Sequence, residues 1–129
     1  MATLTTTLTM VSTDAFAHQP INITATKAMA VEAPYTDLSR IAAATGGTVI
    51  HPASGSDVLY FFIRHTGKLA SNGSATTNLV TVADAGGATT ATLGAEEFMF
   101  VPVKAGEGMK VTSASAAVFV EYLYFTKDV

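Results

Sequence analysis

The chain has 129 residues, a formal net charge of −3 and only 13% charged residues, which is about half the share of an average soluble domain. Its seven Lys and Arg residues are scattered, which argues against nucleic-acid binding, and the absence of cysteine excludes disulfides and thiolate zinc sites. No apolar run approaches the roughly 18 residues of a membrane-spanning helix, and the first residues lack the pattern of a secretory signal, so we expect neither. The low charge favours a surface that contacts other protein.

The first 33 residues are rich in Thr and Ala and have few large apolar side chains. Thr alternates with Leu or Met through residues 3–11, and Ile alternates with polar residues after Pro20, which predicts two short half-buried strands. We expect residues 1–33 to form an N-terminal arm that lies across a neighbouring subunit, or else edge strands of the chain's own sheet. Residues 34–129 are expected to form a β-sandwich domain.

The next segment allows two secondary structures. Thr36 or Asp37 could cap a short helix that continues through Ala42, and Gly46-Gly47 would end it. A strand over the same residues fits equally well.

Two strands follow. Residues 48–51 are predicted to form a short strand that is stopped by Pro52, with a turn over residues 53–56. Asp57–Thr66 is predicted to form a longer strand that is apolar on both faces apart from one charge. One face carries Leu59, Phe61 and Ile63, and the other carries Val58, Tyr60, Phe62 and Arg64.

The rest of the chain has five runs of strand-forming residues that are separated by turn-forming residues. The last run is again apolar on both faces, with Glu121 as its one charge. The strand count predicts an all-β fold, an antiparallel two-sheet sandwich of jelly-roll or Greek-key type with an extended N-terminal segment. The runs are 77–83, 88–93, 96–103, 109–114 and 116–125, with a polar loop over 67–75 and a hairpin turn over 84–87.

Residues that could support catalysis or ligand binding show no suitable spacing. His18, His51 and His65 match no metal-ligand pattern. Glu96 and Glu97 are adjacent and would point to opposite faces of a strand, so we interpret them as solvated residues at a strand entrance. No serine lies in a nucleophile elbow, and no glycine-rich turn leads into a helix. We therefore expect no catalytic residue, no metal and no cofactor, and we do not expect an enzyme.

The two strongly apolar strands predict a protein–protein interface. If they pack through the face with Phe61 and the face with Val120, the large side chains on their other faces point away from the core. A soluble monomer seldom exposes such a patch, so a neighbouring chain should cover it, unless loops or the N-terminal arm of the same chain do. Arg64 and Glu121 lie on these outward faces and could pair across strands or subunits. The predicted interface residues are Tyr60, Phe62, Arg64, Phe119, Glu121, Leu123 and Phe125.

Five segments carry a resemblance to a known family: Asp57 to Thr66, Asn78 to Gly87, Glu97 to Lys104, Gly108 to Ser113 and Val118 to Tyr124. Their strand order, Ala-, Thr- and Gly-rich turns and low charge resemble the small β-sandwich decoration, or cement, proteins of tailed-bacteriophage capsids. The resemblance implies a virion structural protein on the outer capsid surface, often a homotrimer, which binds the major capsid protein and bridges neighbouring capsomers by an N-terminal arm and loops. It carries over no site residue, since the family shares no catalytic or ligand motif.

Two other functions are compatible with such a fold. A carbohydrate- or receptor-binding module of a tail or fibre would use exposed aromatic platforms, and the chain has no Trp. A cupin-like enzyme would need a cluster of histidines and carboxylates, which the spacing does not provide. The tyrosines that could replace Trp in a sugar site are Tyr35, Tyr60, Tyr122 and Tyr124.

Overall fold

The computed structural model describes residues 2–14, 20–53 and 58–128. These residues contain ten β-strands and no helix, which confirms the all-β prediction. Accordingly, no helix that could span a membrane occurs among them. The strands are β1 (Ala2–Ser12), β2 (Ile21–Tyr35), β3 (Ser39–Ala43), β4 (Thr48–His51), β5 (Leu59–Leu69), β6 (Val80–Ala83), β7 (Thr89–Leu93), β8 (Phe98–Val103), β9 (Met109–Ser113) and β10 (Val118–Lys127).

The strands form two antiparallel sheets, as the sequence predicts. The first sheet has six strands in the order β1-β2-β10-β5-β8, with β3 also pairing with β10. The second sheet has four strands in the order β4-β9-β6-β7. The two strongly apolar strands, β5 and β10, therefore do not pack face to face. They lie side by side in one sheet. In each strand, the alternate residues that were expected to face the core do face it.

The chain divides into two compact units. The first consists of Met1–Glu32 and Lys127–Val129, and the second of Ala33–Thr126. In the first unit, β1 and β2 form a regular hairpin in which eleven residues of β1 pair with Ile21–Val31, and we call this hairpin the N-terminal ribbon. Most of its residues are exposed.

The second unit holds the hydrophobic core. Phe61 and Ile63 of β5 and Val118 and Val120 of β10 are fully buried, which confirms the predicted inward parity of both strands. Burying one such aliphatic or aromatic side chain stabilises the fold by roughly 1.5–3 kcal/mol. The second sheet completes the core with Val80, Val82, Leu93, Met109 and Val111.

A buried histidine links β5 to the segment before β6. The Nδ1 atom of His65 accepts the backbone N–H of Gly67 at 2.9 Å, so this nitrogen carries no proton. The Nε2–H therefore donates to the backbone carbonyl of Asn78 at 2.7 Å. His65 is completely buried, and both ring nitrogens are satisfied. Its role in the fold is thus structural.

The helix that the sequence allows after Tyr35 does not form, so of the two predicted alternatives the strand is correct. Ser39–Ala43 is a strand that pairs with β10, and Ala43 is buried in the core. Thr36 caps no helix. Instead its N–H donates to the carbonyl of Tyr124, and its hydroxyl accepts the N–H of the same residue. Long-range pairing thus overrides a weak local helix signal.

The observed turns and strand ends match the predicted ones only in part. The hairpin turn at Asp84 is confirmed, because its backbone N–H donates to the carbonyl of Ala88 and Gly87 has a φ of 102°. The predicted loop over 67–75 begins too early, since β5 continues to Leu69. The turn predicted over 53–56 lies mostly outside the described residues.

Candidate functional site

One face of the six-stranded sheet points away from the core and is lined by aromatic residues. Directly opposite residues of an antiparallel pair share a face, so the strand registers define which side chains meet. The register places Phe62 between Phe100 of β8 and Leu123 of β10. We call this surface the outer aromatic face; its residues are Tyr60, Phe62, Arg64, Phe98, Phe100, Pro102, Phe119, Glu121, Leu123 and Phe125.

Ring contacts join the strands across this face. Tyr60 stacks on Phe100 with 5.9 Å between ring centroids and an interplanar angle of 18°. The rings of Phe62 and Phe98 lie 6.3 Å apart. Such contacts each contribute about 0.5–1.5 kcal/mol beyond the area that they bury, so they hold the rings in a fixed array. Tyr35 extends the array, 5.8 Å from Phe125.

The predicted interface residues all lie on this face, and their exposure differs. Tyr60 is only 7% exposed, so it is already covered within the single chain and offers little area to a partner. Arg64 is exposed. The remaining predicted residues are half-buried, namely Phe62, Phe119, Glu121, Leu123 and Phe125.

The most exposed aromatic residues of the face were not among those predicted from the sequence. Phe98 is 59% exposed and Phe100 is 37% exposed, and both belong to β8 at the edge of the sheet. The strand alternates them with Met99 and Val101, which pack against the core. This period of two was visible in the sequence and would have identified both phenylalanines.

The charged residues of the face pair differently from expectation. Glu121 lies directly opposite Arg64 in the register, but its ion pair is with Arg40 of β3 at 3.5 Å. The guanidinium carbon of Arg40 also lies 5.4 Å from the ring centroid of Phe119. Arg40 thus engages both a carboxylate and an aromatic ring, while Arg64 adds an exposed cationic group to the face, opposite Phe98 in the register.

The described residues that we considered for catalysis or metal binding are not members of the outer aromatic face. His51 contacts the ring of Tyr124 edge-on at 5.3 Å, and His65 is buried in the fold. Glu96 and Glu97 are exposed in the turn before β8, as predicted. His18 lies outside the described residues. Among the described residues, no three His, Asp or Glu side chains are grouped so that they could hold a metal ion.

Comparison with known proteins gives no relative. No protein family, characterised protein or solved structure matches the chain. The function must therefore be argued from the chemistry of the surface.

Proposed function

We propose that this protein is a virion structural protein, a decoration (cement) protein that binds the outer surface of an assembled bacteriophage capsid. In this proposal, it associates with other copies of itself, with a trimer favoured, and attaches to the major capsid protein. The observation that carries the proposal is the outer aromatic face. It is a fixed array of rings beside the exposed guanidinium of Arg64, on a chain of unusually low charge.

The chemistry of the face suits a protein partner. Aromatic residues and Arg are the side chains that most often dominate the binding energy of protein interfaces. Phe98, Phe100 and Arg64 provide these groups on strands rather than on loops, so little conformational entropy is lost when a partner covers them. The face is also only partly covered by its own chain, which leaves apolar area to be buried on binding.

The N-terminal ribbon supplies the second part of the proposal. Its eleven-residue strand β1 spans about 37 Å, which is long enough to reach a neighbouring subunit. Among the described residues β1 pairs with β2 alone at the end of the sheet, so contact with another chain would cover this edge and stabilise it.

The proposed mechanism is mass action. A protein that binds only the assembled shell stabilises that state by the free energy of its contacts. Because many copies bind one particle, a modest interface per copy produces a large total effect. No chemical step is required of the protein.

The test is to mix the purified protein with empty capsids of the phage that encodes it. We expect it to co-sediment with the capsids and to raise the temperature at which they fall apart. Removing residues 1–33 should weaken attachment and leave the sandwich folded. Failure of the intact protein to bind would remove the proposal, and unfolding of the truncated protein would mean that the sandwich needs β1 and β2 for its stability.

Carbohydrate or receptor binding is the alternative function, and one exposed residue favours it. Tyr35 is 54% exposed and could stack on a sugar ring. The other three tyrosines are poorly placed, since Tyr60 is buried and Tyr122 and Tyr124 pack against the core. Binding to a glycan array without capsid binding would favour this alternative.

A further inference from the structure

The free strand edges of the two sheets differ in how well they are protected against pairing with another chain. An edge strand presents unpaired N–H and C=O groups, and natural proteins usually protect it with a charge, a proline, a bulge or a short length. The edge strand β8 carries Pro102, and β4 has four residues with an irregular register after Val49. The edge strand β7 has five residues, and its pairing is irregular opposite Val82.

The edge strand β1 has none of these protections. It is eleven residues long, and its pairing with β2 is regular from Ala2 to Ser12. It contains no charged residue, no proline and no glycine. Within the described residues, β1 pairs with β2 alone and stands at the end of the first sheet. Between Ala2 and Val11, alternate backbone groups therefore point away from β2, and no other strand of the described part of the chain pairs with them.

The ribbon also has one apolar face and one polar face. Leu4, Leu8 and Met10 of β1 share a face with Met29 and Ile23 of β2. Leu8, Met10 and Ile23 are about half exposed. The opposite face of β1 consists mainly of threonines, and the hydroxyl of Thr7 lies 3.2 Å from the hydroxyl of Thr26 on β2. A further strand that pairs with β1 must therefore place apolar residues on the apolar face and polar residues on the polar face.

A second copy of β1 can continue both faces of the first copy. In an antiparallel pair of two β1 strands centred on Thr6, Leu4 of one copy lies opposite Leu8 of the other. In the same register, Thr3 lies opposite Thr9 and Thr5 lies opposite Thr7. Like residues therefore meet on each face, and no two like charges are opposed.

We propose that β1 is a self-association edge, which pairs antiparallel with β1 of a second copy of this chain about a two-fold axis at Thr6. The two ribbons then adjoin through β1, their apolar faces become continuous, and neither copy keeps β1 as an exposed sheet edge. The contact is isologous and joins chains in pairs, so it is separate from any three-fold contact. It does not rest on attachment to a capsid.

Cysteine cross-linking tests the pairing and its register, because the chain has no cysteine of its own. Thr6→Cys is expected to form a disulfide-linked dimer on mild oxidation, since the two Cβ atoms would lie about 4.5–5.5 Å apart. Thr3→Cys and Thr9→Cys should each stay monomeric alone and cross-link when mixed. The copies of residue 3 would be about 20 Å apart in the dimer.

Along an antiparallel pair, directly opposite residues alternate between hydrogen-bonded and non-hydrogen-bonded pairs. Residues 3 and 6 are three positions apart, so their two cross-links fall at pairs of different type. One of them therefore falls at the closer, non-hydrogen-bonded type of pair, which suits a disulfide better. If neither Thr6→Cys nor the mixture of Thr3→Cys with Thr9→Cys forms a dimer, the proposal is overturned.

A matched pair of charge variants tests the contact without any covalent link. Thr5→Lys with Thr7→Lys places two like-charged pairs across the two-fold axis, whereas Thr5→Lys with Thr7→Glu places two opposite-charged pairs there. Both variants lose the same hydroxyl contact to Thr26. In sedimentation velocity, we expect the dissociation constant of the first variant to be about tenfold higher than that of the second.

Equal association of the two charge variants would overturn the proposal, and so would a strictly monomeric natural protein at high micromolar concentration. Capsid binding is measured separately, so the two proposals can fail independently. A cross-linked dimer that ignores capsids removes the proposed function alone. Capsid binding by a protein that never pairs through β1 removes this inference alone.

Discussion

The role of the outer aromatic face can be tested at Phe98. Burying a phenylalanine removes about 200 Å² of surface from water, and 59% exposure leaves about 120 Å² of it for a partner to cover. At about 25 cal/mol per Å², this area is worth up to about 3 kcal/mol of binding free energy per copy. Phe98→Ser should therefore weaken capsid binding by up to about 100-fold.

The same substitution should leave the protein folded. The share of Phe98 that is already buried, about 80 Å², contributes about 2 kcal/mol at most to the free energy of unfolding. Denaturant unfolding measures this loss, and co-sedimentation at a temperature where the variant is folded measures binding. Val49→Ser is the control, since Val49 is 50% exposed on the other sheet.

Two results would refute this reasoning. If Phe98→Ser binds capsids as tightly as the natural protein, the outer aromatic face is not the attachment surface. If Val49→Ser loses as much binding as Phe98→Ser, the effect comes from general loss of apolar surface and not from this face.

Three further predictions concern the fold. His65→Leu should lower the free energy of unfolding by about 2–5 kcal/mol, because it leaves a buried backbone N–H and a partly buried carbonyl without partners; a smaller loss in chemical denaturation would contradict this. Gly108→Ala should be strongly destabilising in thermal unfolding, since the added Cβ would meet a backbone oxygen at 2.5 Å with φ at +70°, whereas Gly46→Ala meets no atom within 4 Å and should change little. The backbone N–H of Ala88 lowers the pKa of Asp84, so its carboxylate stabilises the fold above the ordinary carboxyl pKa and loses this effect as pH falls through the lowered value. Asp84→Asn should therefore cost stability at neutral pH and progressively less in acid, and a cost that does not change with pH would disprove the assignment.

Alternation along the chain determined most of the secondary structure and the sidedness of the central strands. The period of two in β5 and β10 assigned Phe61 and Val120 to the core and Phe62 and Leu123 to the opposite face. This works because successive side chains of a strand point to opposite sides whatever the strand pairs with. The same rule applied to β8 would have found Phe98.

Tertiary structure alone decided which strands are neighbours. The pairing of the strands in turn decided which side chains meet on the outer aromatic face. The pairing with β10 made a strand of Ser39–Ala43, brought Arg40 to Glu121, and placed β5 beside β10 instead of opposite it. The stacking of Phe100 on Tyr60 likewise joins residues 40 positions apart and helps to cover the tyrosine. A strand's own residues fix which way each side chain points, whereas the strand that lies beside it depends on contacts between distant parts of the chain, which no local pattern encodes.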